Sequence, residues 1–145
     1  MIHQNSGRKL NVTPKHRKAL LRNQAIHFII NGKLKTTVAQ IREVKRLVEK
    51  VVTVARKGNH FNNRRKAYSL LPYNNTALDK LFFEIAPLYK DRPGGYTRMI
   101  RLHNRIADTA EVGILLWVKA SLNNDLNNNN NNILNSNAKE LKTSI

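Results

Sequence analysis

A large excess of positive charge is the most informative feature of this sequence. Its 145 residues include 26 Lys and Arg but only 9 Asp and Glu, which gives a formal net charge of +17. The first acidic residue is Glu43, and the bases before it are Arg8, Lys9, Lys15, Arg17, Lys18, Arg22, Lys33, Lys35 and Arg42. Segments of one sign repel themselves and are typical of contacts with a polyanion. We therefore expect a nucleic acid to complete the charge balance of the folded chain.

The composition excludes several other classes of protein. The absence of cysteine rules out disulfides, thiolate zinc sites and cysteine nucleophiles. The 5 histidines show no metal-ligand spacing, and the carboxylates are too scattered for a two-metal nuclease. No apolar run is long enough to cross a membrane, and the polar N-terminus lacks the features of a signal peptide. We expect no catalytic residue, metal, cofactor, small-molecule substrate or membrane span.

The chain divides into a basic, periodic part and a tail. Residues 1–119 carry the charge and the regularly spaced apolar residues, so they are expected to form one nucleic-acid-binding domain. Residues 120–145 are rich in Asn and include the unbroken run Asn127–Asn132. Such low-complexity sequence cannot bury a core, and we predict that this tail is disordered.

Capping signals and apolar spacing predict two long helices. The first begins at Thr13-Pro14, with Pro at the first helical position, and ends at Asn31-Gly32, where Gly supplies a left-handed cap. The second spans about Val38–Arg56. Its apolar residues recur at intervals of three and four, which predicts one buried stripe: Ile41, Val44, Val48, Val51 and Ala55.

Shorter elements complete the predicted fold. Helices are expected at about Phe61–Leu71 and Thr76–Ala86, and strands at Lys33–Thr37, Tyr96–Leu102 and Val112–Val118. The segment that joins the last two strands is too long for a tight hairpin, so a bulged turn or an open loop is expected. The fold class is α+β: three to four helices beside a small two- to three-stranded mixed sheet, with an extended basic N-terminal arm.

The strongest candidate binding motif is the segment Arg92–Arg98 (RPGGYTR). Adjacent glycines allow a backbone to approach a phosphate closely and to present its N–H groups, as in anion-binding nests. Arg92, Arg98 and Arg101 add planar donors suited to phosphate, and Tyr96 adds a ring that can stack on a base or ribose. The alternative is an ordinary Pro-Gly-Gly turn that begins a strand.

A second candidate is the N-terminal arm with the first helix. Lys15, His16, Arg17, Lys18 and Arg22 lie on its first turns, and a helix N-terminus carries a partial positive charge that favours phosphate. The alternative is a solvated basic face, which the lack of any acidic partner in this segment disfavours.

Five separated motifs resemble, in order, the family of the seventeenth protein of the bacterial-type large ribosomal subunit. They are Arg8-Lys9-Leu10-Asn11, His16–Asn23 (HRKALLRN), Lys35-Thr36-Thr37, Arg64-Arg65, and RPGGYTR followed by Arg105 and Asp108. The resemblance covers about residues 3–118. It implies an α/β fold packed on large-subunit rRNA near the exit of the peptide tunnel, beside neighbouring large-subunit proteins. The implied role is assembly and rRNA stabilisation without catalysis.

These motifs and the candidate sites above define the expected RNA-binding residues: Arg8, Lys9, His16, Arg17, Lys18, Arg22, Lys35, Thr36, Thr37, Arg64, Arg65, Arg92, Gly94, Gly95, Tyr96, Thr97, Arg98 and Arg101. The sequence departs from the family pattern in the last loop, where Ala107 stands in place of the usual Gly before Asp108. This replacement disfavours a positive-φ turn at that position. The Asn-rich tail has no counterpart in the family.

The compartment and the function each have an alternative interpretation. The stretch Ala86–Met99, with Asn104-Arg105, looks more like mitochondrial members of the family than bacterial ones. We therefore expect a mitochondrial ribosome, with the bacterial cytoplasm or a plastid as alternatives. The alternative function is a free-standing RNA- or DNA-binding regulator. A strand between the first two helices argues against a helix-turn-helix, which needs a short turn there.

Overall fold

The computed structural model describes residues 7–72 and 74–118. The predicted tail, residues 120–145, lies outside the described residues, as do residues 1–6 of the N-terminal arm. The described elements are, in chain order, α1 (Pro14–Asn31), β1 (Lys33–Thr37), α2 (Val38–Ala55), α3 (Phe61–Leu70), α4 (Asn75–Lys80), a π-helical turn (Leu81–Ile85), α5 (Ala86–Leu88), β2 (Thr97–Arg101) and β3 (Val112–Trp117). The predicted α+β class is confirmed.

The two long helices follow their sequence signals. Pro14 occupies the first turn of α1, and Gly32 ends the helix at a φ of 73° while its N–H donates to the Phe28 carbonyl at 2.8 Å. The predicted stripe of α2 is confirmed, because each of its members is at most 1% exposed. α2 begins directly after β1, so a strand of five residues leads straight into a helix of eighteen.

The predicted fourth helix is three consecutive segments rather than one α-helix. Asn74 caps α4 by accepting a hydrogen bond from the Ala77 N–H at 2.8 Å. The Ala86 N–H donates to the carbonyl of Leu81, five residues back, which marks the π-helical turn. Pro87 explains the change, since its ring would clash with the carbonyl four residues earlier in a regular α-helix.

The sheet has the strand order β1-β3-β2, and both pairings are antiparallel. The expectation of a mixed sheet is therefore wrong. β1 and β2 run parallel to each other, but β3 lies between them and runs against both. A mixed sheet would require β1 to pair with β2 directly.

The core lies between α2 and one face of the sheet, with α1 packed alongside. Leu34, Leu115 and Trp117 contribute the buried sheet positions. The Trp117 ring lies 4.4 Å from the Phe28 ring of α1 and 5.9 Å from that of Tyr89, measured between centroids. This packing leaves the face of the sheet that points away from α2 outside the core.

Candidate nucleic-acid-binding surface

The glycine-rich turn before β2 is held from within the protein. Glu49, on α2, accepts hydrogen bonds from the backbone N–H groups of Gly95 at 3.1 Å, Tyr96 at 3.2 Å and Thr97 at 3.1 Å. The Thr97 hydroxyl donates to the same carboxylate at 2.8 Å. The sequence predicted that this turn would present its N–H groups to a phosphate. That prediction is wrong for these three groups, because a carboxylate of the chain already binds them.

The Tyr96 side chain belongs to the core. It is 0% exposed, its ring lies 5.3 Å from that of Tyr89 in an edge-on arrangement, and its hydroxyl lies 3.4 Å from the Thr53 hydroxyl. Stacking of this ring on a base or ribose, which the sequence predicted, is therefore excluded in this fold. Thr97 is also buried, at 3% exposure, so neither side chain lies on an RNA-facing surface.

The three arginines near this turn point to different places. Arg92 donates from Nε to the Gly94 carbonyl at 3.1 Å, and Arg56 donates to the Arg92 carbonyl, so Arg92 fastens the turn. Arg98 lies on the sheet face away from α2, whereas Arg101 lies on the opposite face at the end of β2. The three arginines therefore do not surround a single phosphate. Both glycines of the turn have open space beside the backbone, but only Gly94 does so without a positive φ.

Arginines from three separate segments instead meet at the first turn of α2. Arg8 of the arm, Arg42 of α2 and Arg101 of β2 line one cleft of about 600 Å³, together with Thr37, Val38, Ala39, Ala110 and Glu111. The Val38 N–H donates to the Glu111 carbonyl at 2.9 Å, and Thr37 supplies no side-chain cap. The N–H groups that follow in the first turn have no intrahelical acceptor. The cleft is also lined by the acidic residue Glu111, but three guanidinium groups and a helix N-terminus outnumber its one carboxylate and together favour a phosphate.

Arg42 was not among the residues expected to bind RNA. The sequence did offer a signal, because Arg42 lies off the apolar stripe near the start of a predicted helix whose first turn has no acidic residue. Its importance depends on Arg8 and Arg101, which lie far from it in sequence. The cleft could therefore not be read from local spacing.

The basic residues of the arm and of α1 form a second surface. Arg8, Lys9, Lys15, His16 and Lys18 are exposed. Arg17 is half-buried and donates to the Arg8 carbonyl at 3.1 Å, which ties the arm to the helix. Arg22 is also half-buried and donates to the Ser69 carbonyl at 3.3 Å, which ties α1 to the end of α3. The structure thus leaves the first group accessible to phosphate and gives Arg17 and Arg22 internal acceptors.

The remaining predicted residues are dispersed. Lys35 is exposed on β1, while the Thr36 hydroxyl donates to the side-chain oxygen of Gln40. Arg64 forms an ion pair with Asp79 of α4, and Arg65 beside it is exposed. Arg64 therefore links α3 to α4 through an ion pair at the surface.

The loop between β2 and β3 is organised by Asp108. Arg105 forms a two-point ion pair with this carboxylate, and the Ala110 N–H donates to it at 3.2 Å. The guanidinium first, and then this N–H, hold the pKa of Asp108 at about 2, below its ordinary value of 3.8. The positive φ of the loop falls at Thr109, at 53°, and not at Ala107. The chain thus turns two residues after the position that glycine usually occupies.

Residues 7–72 and 74–118 contain no group of three His, Asp or Glu that could hold a metal ion. No helix among them is long and apolar enough to span a membrane. Together, the α+β fold, the net charge and the arginine-lined cleft define a basic protein whose surface suits a polyanionic partner.

Comparisons with known proteins identify the family. The chain matches the family described as Ribosomal protein L17 over residues 20–118. It is 43% identical over 107 residues to large ribosomal subunit protein bL17 of Akkermansia muciniphila, covering 74% of this chain and 77% of that protein. The bL17 of Nitratidesulfovibrio vulgaris is 43% identical over 120 residues, with coverages of 82% and 89%. That of Wolinella succinogenes is 44% identical over 115 residues, with coverages of 79% and 97%.

The chain belongs to the ribosomal protein L17 family. The resemblance noted in the sequence is therefore confirmed. This family is one of ribosomal proteins and not of enzymes, which also confirms the expectation of a non-catalytic chain.

Proposed function

We propose that this protein is a structural constituent of the large ribosomal subunit that binds and stabilises large-subunit rRNA near the exit of the peptide tunnel. Its partners would be this rRNA and neighbouring large-subunit proteins. The observation that carries the proposal is the cleft at the first turn of α2, lined by Arg8, Arg42 and Arg101. Arginines suit phosphate because their planar donors match its oxygens, and here they come from three parts of the fold.

The rRNA contacts are proposed to extend from this cleft along the arm and the start of α1. Lys9, Lys15, His16 and Lys18 are all exposed there, and no acidic residue of the described chain precedes Glu43. A surface of one sign releases counterions when it meets RNA, so binding should weaken steeply with salt. Arg65 on α3 offers a further exposed cation.

Sedimentation tests the proposal against the alternative of a free-standing regulator. The full chain is expressed in its host, and the lysate is sedimented through a density gradient that contains magnesium. The chain should migrate with large subunits and dissociate from them at high salt. A regulator would stay near the top of the gradient. With purified rRNA, log affinity should fall with log salt with a slope of magnitude about 5 or more. A flat titration would contradict the electrostatic mechanism.

We propose a mitochondrial ribosome as the compartment, with the bacterial cytoplasm or a plastid as alternatives. The support is the likeness of the stretch Ala86–Met99, with Asn104-Arg105 following it, to mitochondrial members. The relatives named above come from bacteria and do not decide this question. Fractionation of the host cell, followed by detection of the chain in organellar or cytoplasmic ribosomes, distinguishes the three.

The domain boundary near residue 119 is also a proposal. Residues 120–145 contain two bases and two acids, Asp125 and Glu140 among them, and no periodic apolar face. Deleting residues 121–145 should therefore leave folding and entry into large subunits unchanged. If the truncated chain fails to enter subunits, the tail is an interaction element.

A further inference from the structure

Among the residues that the structure describes, one face of the sheet lies outside the core. Side chains alternate between faces along a strand, so the register divides the sheet into two sets. One set points to α2 and includes Leu34, Leu115 and Trp117. The opposite set, here named the outer face, comprises Lys33, Lys35 and Thr37 of β1, Val112, Ile114 and Leu116 of β3, and Arg98, Ile100 and the following Leu102 at β2.

The outer face is apolar along its middle and exposed. All three side chains from its central strand are aliphatic and half-buried. Ile100 is 44% exposed and Leu102 is 36% exposed. Ile106, in the loop after β2, is fully exposed and lines one cleft of about 790 Å³ with Leu102 and Val112. These aliphatic side chains therefore form one contiguous exposed strip on the sheet.

The rim of this face is positive. Lys33 and Lys35 flank the aliphatic strip on one side and Arg98 on the other, and none of the nine outer-face positions is acidic. An occupant of complementary charge would place carboxylates at this rim and apolar side chains over the strip.

The chemistry of the face favours a protein over RNA. RNA bases dock on sheets by stacking on aromatic side chains, and none of the nine positions is aromatic. Phosphates laid over Val112, Ile114 and Leu116 would lose water without gaining hydrogen bonds. An aliphatic strip instead gains from contact with other aliphatic side chains.

The size of the face limits the occupant to a short segment. Three strands span about 10 Å and five residues about 17 Å. This area is much smaller than the roughly 800 Å² per partner of a standard interface between folded proteins. A second copy of the chain would therefore be weakly held, whereas one strand or a few helical turns of a neighbouring protein would fit.

We infer that the outer face docks a segment of a neighbouring large-subunit protein, with aliphatic side chains over Ile100, Leu102 and Ile114 and carboxylates beside Lys33, Lys35 and Arg98. The inference rests on the proposed function. It assigns Lys35 and Arg98, which the sequence placed among the RNA contacts, to the rim of a protein contact.

Site-specific crosslinking tests this directly, because the chain has no cysteine and any introduced one is unique. Ile100→Cys, labelled with a benzophenone maleimide, is assembled into large subunits and irradiated. A Lys18→Cys chain serves as the control for a surface expected to face RNA. We expect the label at position 100 to give a protein–protein product that resists ribonuclease, and the label at position 18 to give a product that ribonuclease removes.

The other outcomes overturn the inference. Crosslinking from position 100 to rRNA would show that the face binds RNA, and an internal crosslink to residues 119–145 would show that the chain's own tail covers it. No crosslink at position 100, with a normal one at position 18, would show an uncovered face. Failure of the proposed function is distinct, because then neither labelled chain would sediment with large subunits.

A second pair of variants separates docking from folding. The crosslinker is attached to a Leu102→Cys chain. One variant of this chain also carries Ile100→Asp, and the other carries Phe83→Asp. Phe83 is 63% exposed but lies on the π-helical turn, outside this face. Ile100→Asp should reduce the yield of the protein crosslink roughly tenfold, because an unpaired carboxylate is strongly disfavoured against an apolar partner. Phe83→Asp should leave the yield unchanged; equal effects of the two substitutions would contradict the inference.

Discussion

One carboxylate oxygen of Glu49 binds Thr97 twice, through its backbone N–H at 3.1 Å and its hydroxyl at 2.8 Å. The contact joins the middle of α2 to the first residue of β2. With the other carboxylate oxygen engaged by the two preceding N–H groups, the start of the strand is fixed against the helix. Glu49 lies off the apolar stripe of α2, where the sequence indicates a solvated side chain, yet its carboxylate accepts hydrogen bonds that hold the turn in place.

Glu49→Gln should destabilise the fold. The amide keeps one acceptor oxygen but replaces the other with a donor that faces N–H groups. Hydrogen bonds to a charged acceptor contribute more than neutral ones, so we expect a loss of about 2–3 kcal/mol in the free energy of unfolding. Chemical denaturation measures it. Glu84→Gln is the control, because the Glu84 side chain is 67% exposed, and it should change stability by less than about 0.5 kcal/mol.

The two glycines of the turn should respond differently to alanine. Gly95 has a φ of 66°, so Gly95→Ala should lower the free energy of unfolding by about 1–2 kcal/mol. Gly94 has neither a positive φ nor an atom within 4 Å of an added Cβ, so Gly94→Ala should fold normally. Denaturation and subunit incorporation are measured for both. Reduced incorporation of Gly94→Ala at full stability would indicate that the turn touches RNA despite Glu49.

Tyr96 separates a core role from a stacking role. Tyr96→Phe keeps the buried ring and loses only the hydroxyl near Thr53, so rRNA affinity should stay within about twofold of the original. Tyr96→Ala should lower the free energy of unfolding by about 3–5 kcal/mol, because it empties a fully buried site. A soluble, stable Tyr96→Ala protein with weakened RNA binding would contradict the core assignment.

The arginine cleft should dominate RNA affinity over other exposed cations. Arg42→Ala should weaken binding roughly fivefold and lower the magnitude of the salt slope by about 1. The control is Lys57→Ala, just beyond the far end of α2, about 27 Å from its first turn. Filter binding across a salt series measures both. Equal losses from the two substitutions would show diffuse attraction instead of a defined site.

Acid should loosen the loop between β2 and β3. The pKa of Asp108 is lowered to about 2, mainly by its hydrogen bond to Arg105, so the carboxylate is more acidic in the folded state than in the unfolded chain. The stabilisation it provides is therefore complete above about pH 4 and is lost as the pH falls towards 2. Arg105→Gln should raise the pKa of Asp108 towards 3.8, as measured by carboxyl NMR titration. An unchanged midpoint would contradict the ion pair.

Signals within a few residues predicted the helices and strands, whereas the binding surface depends on contacts between residues far apart in the sequence. Thr13-Pro14, Gly32 and the stripe of α2 act within a few residues, so they could be read correctly. The antiparallel sheet, the burial of Tyr96 and its contact with Glu49 depend on pairings between distant parts of the chain. The seven residues of RPGGYTR do not reveal by themselves that Glu49 of α2 accepts hydrogen bonds from the N–H groups of this turn.

The strand order β1-β3-β2 also governs when the protein can fold. Leu34 of β1 pairs with Leu115 of β3, about eighty residues later, and β1 does not pair with β2, the strand that is synthesised before β3. While the chain is being synthesised, β1 must therefore wait until β3 has emerged. Closing so large a loop is slow in comparison with forming α1 and α2. During that interval the basic N-terminal segment has already been synthesised, so it can bind RNA before the sheet has formed.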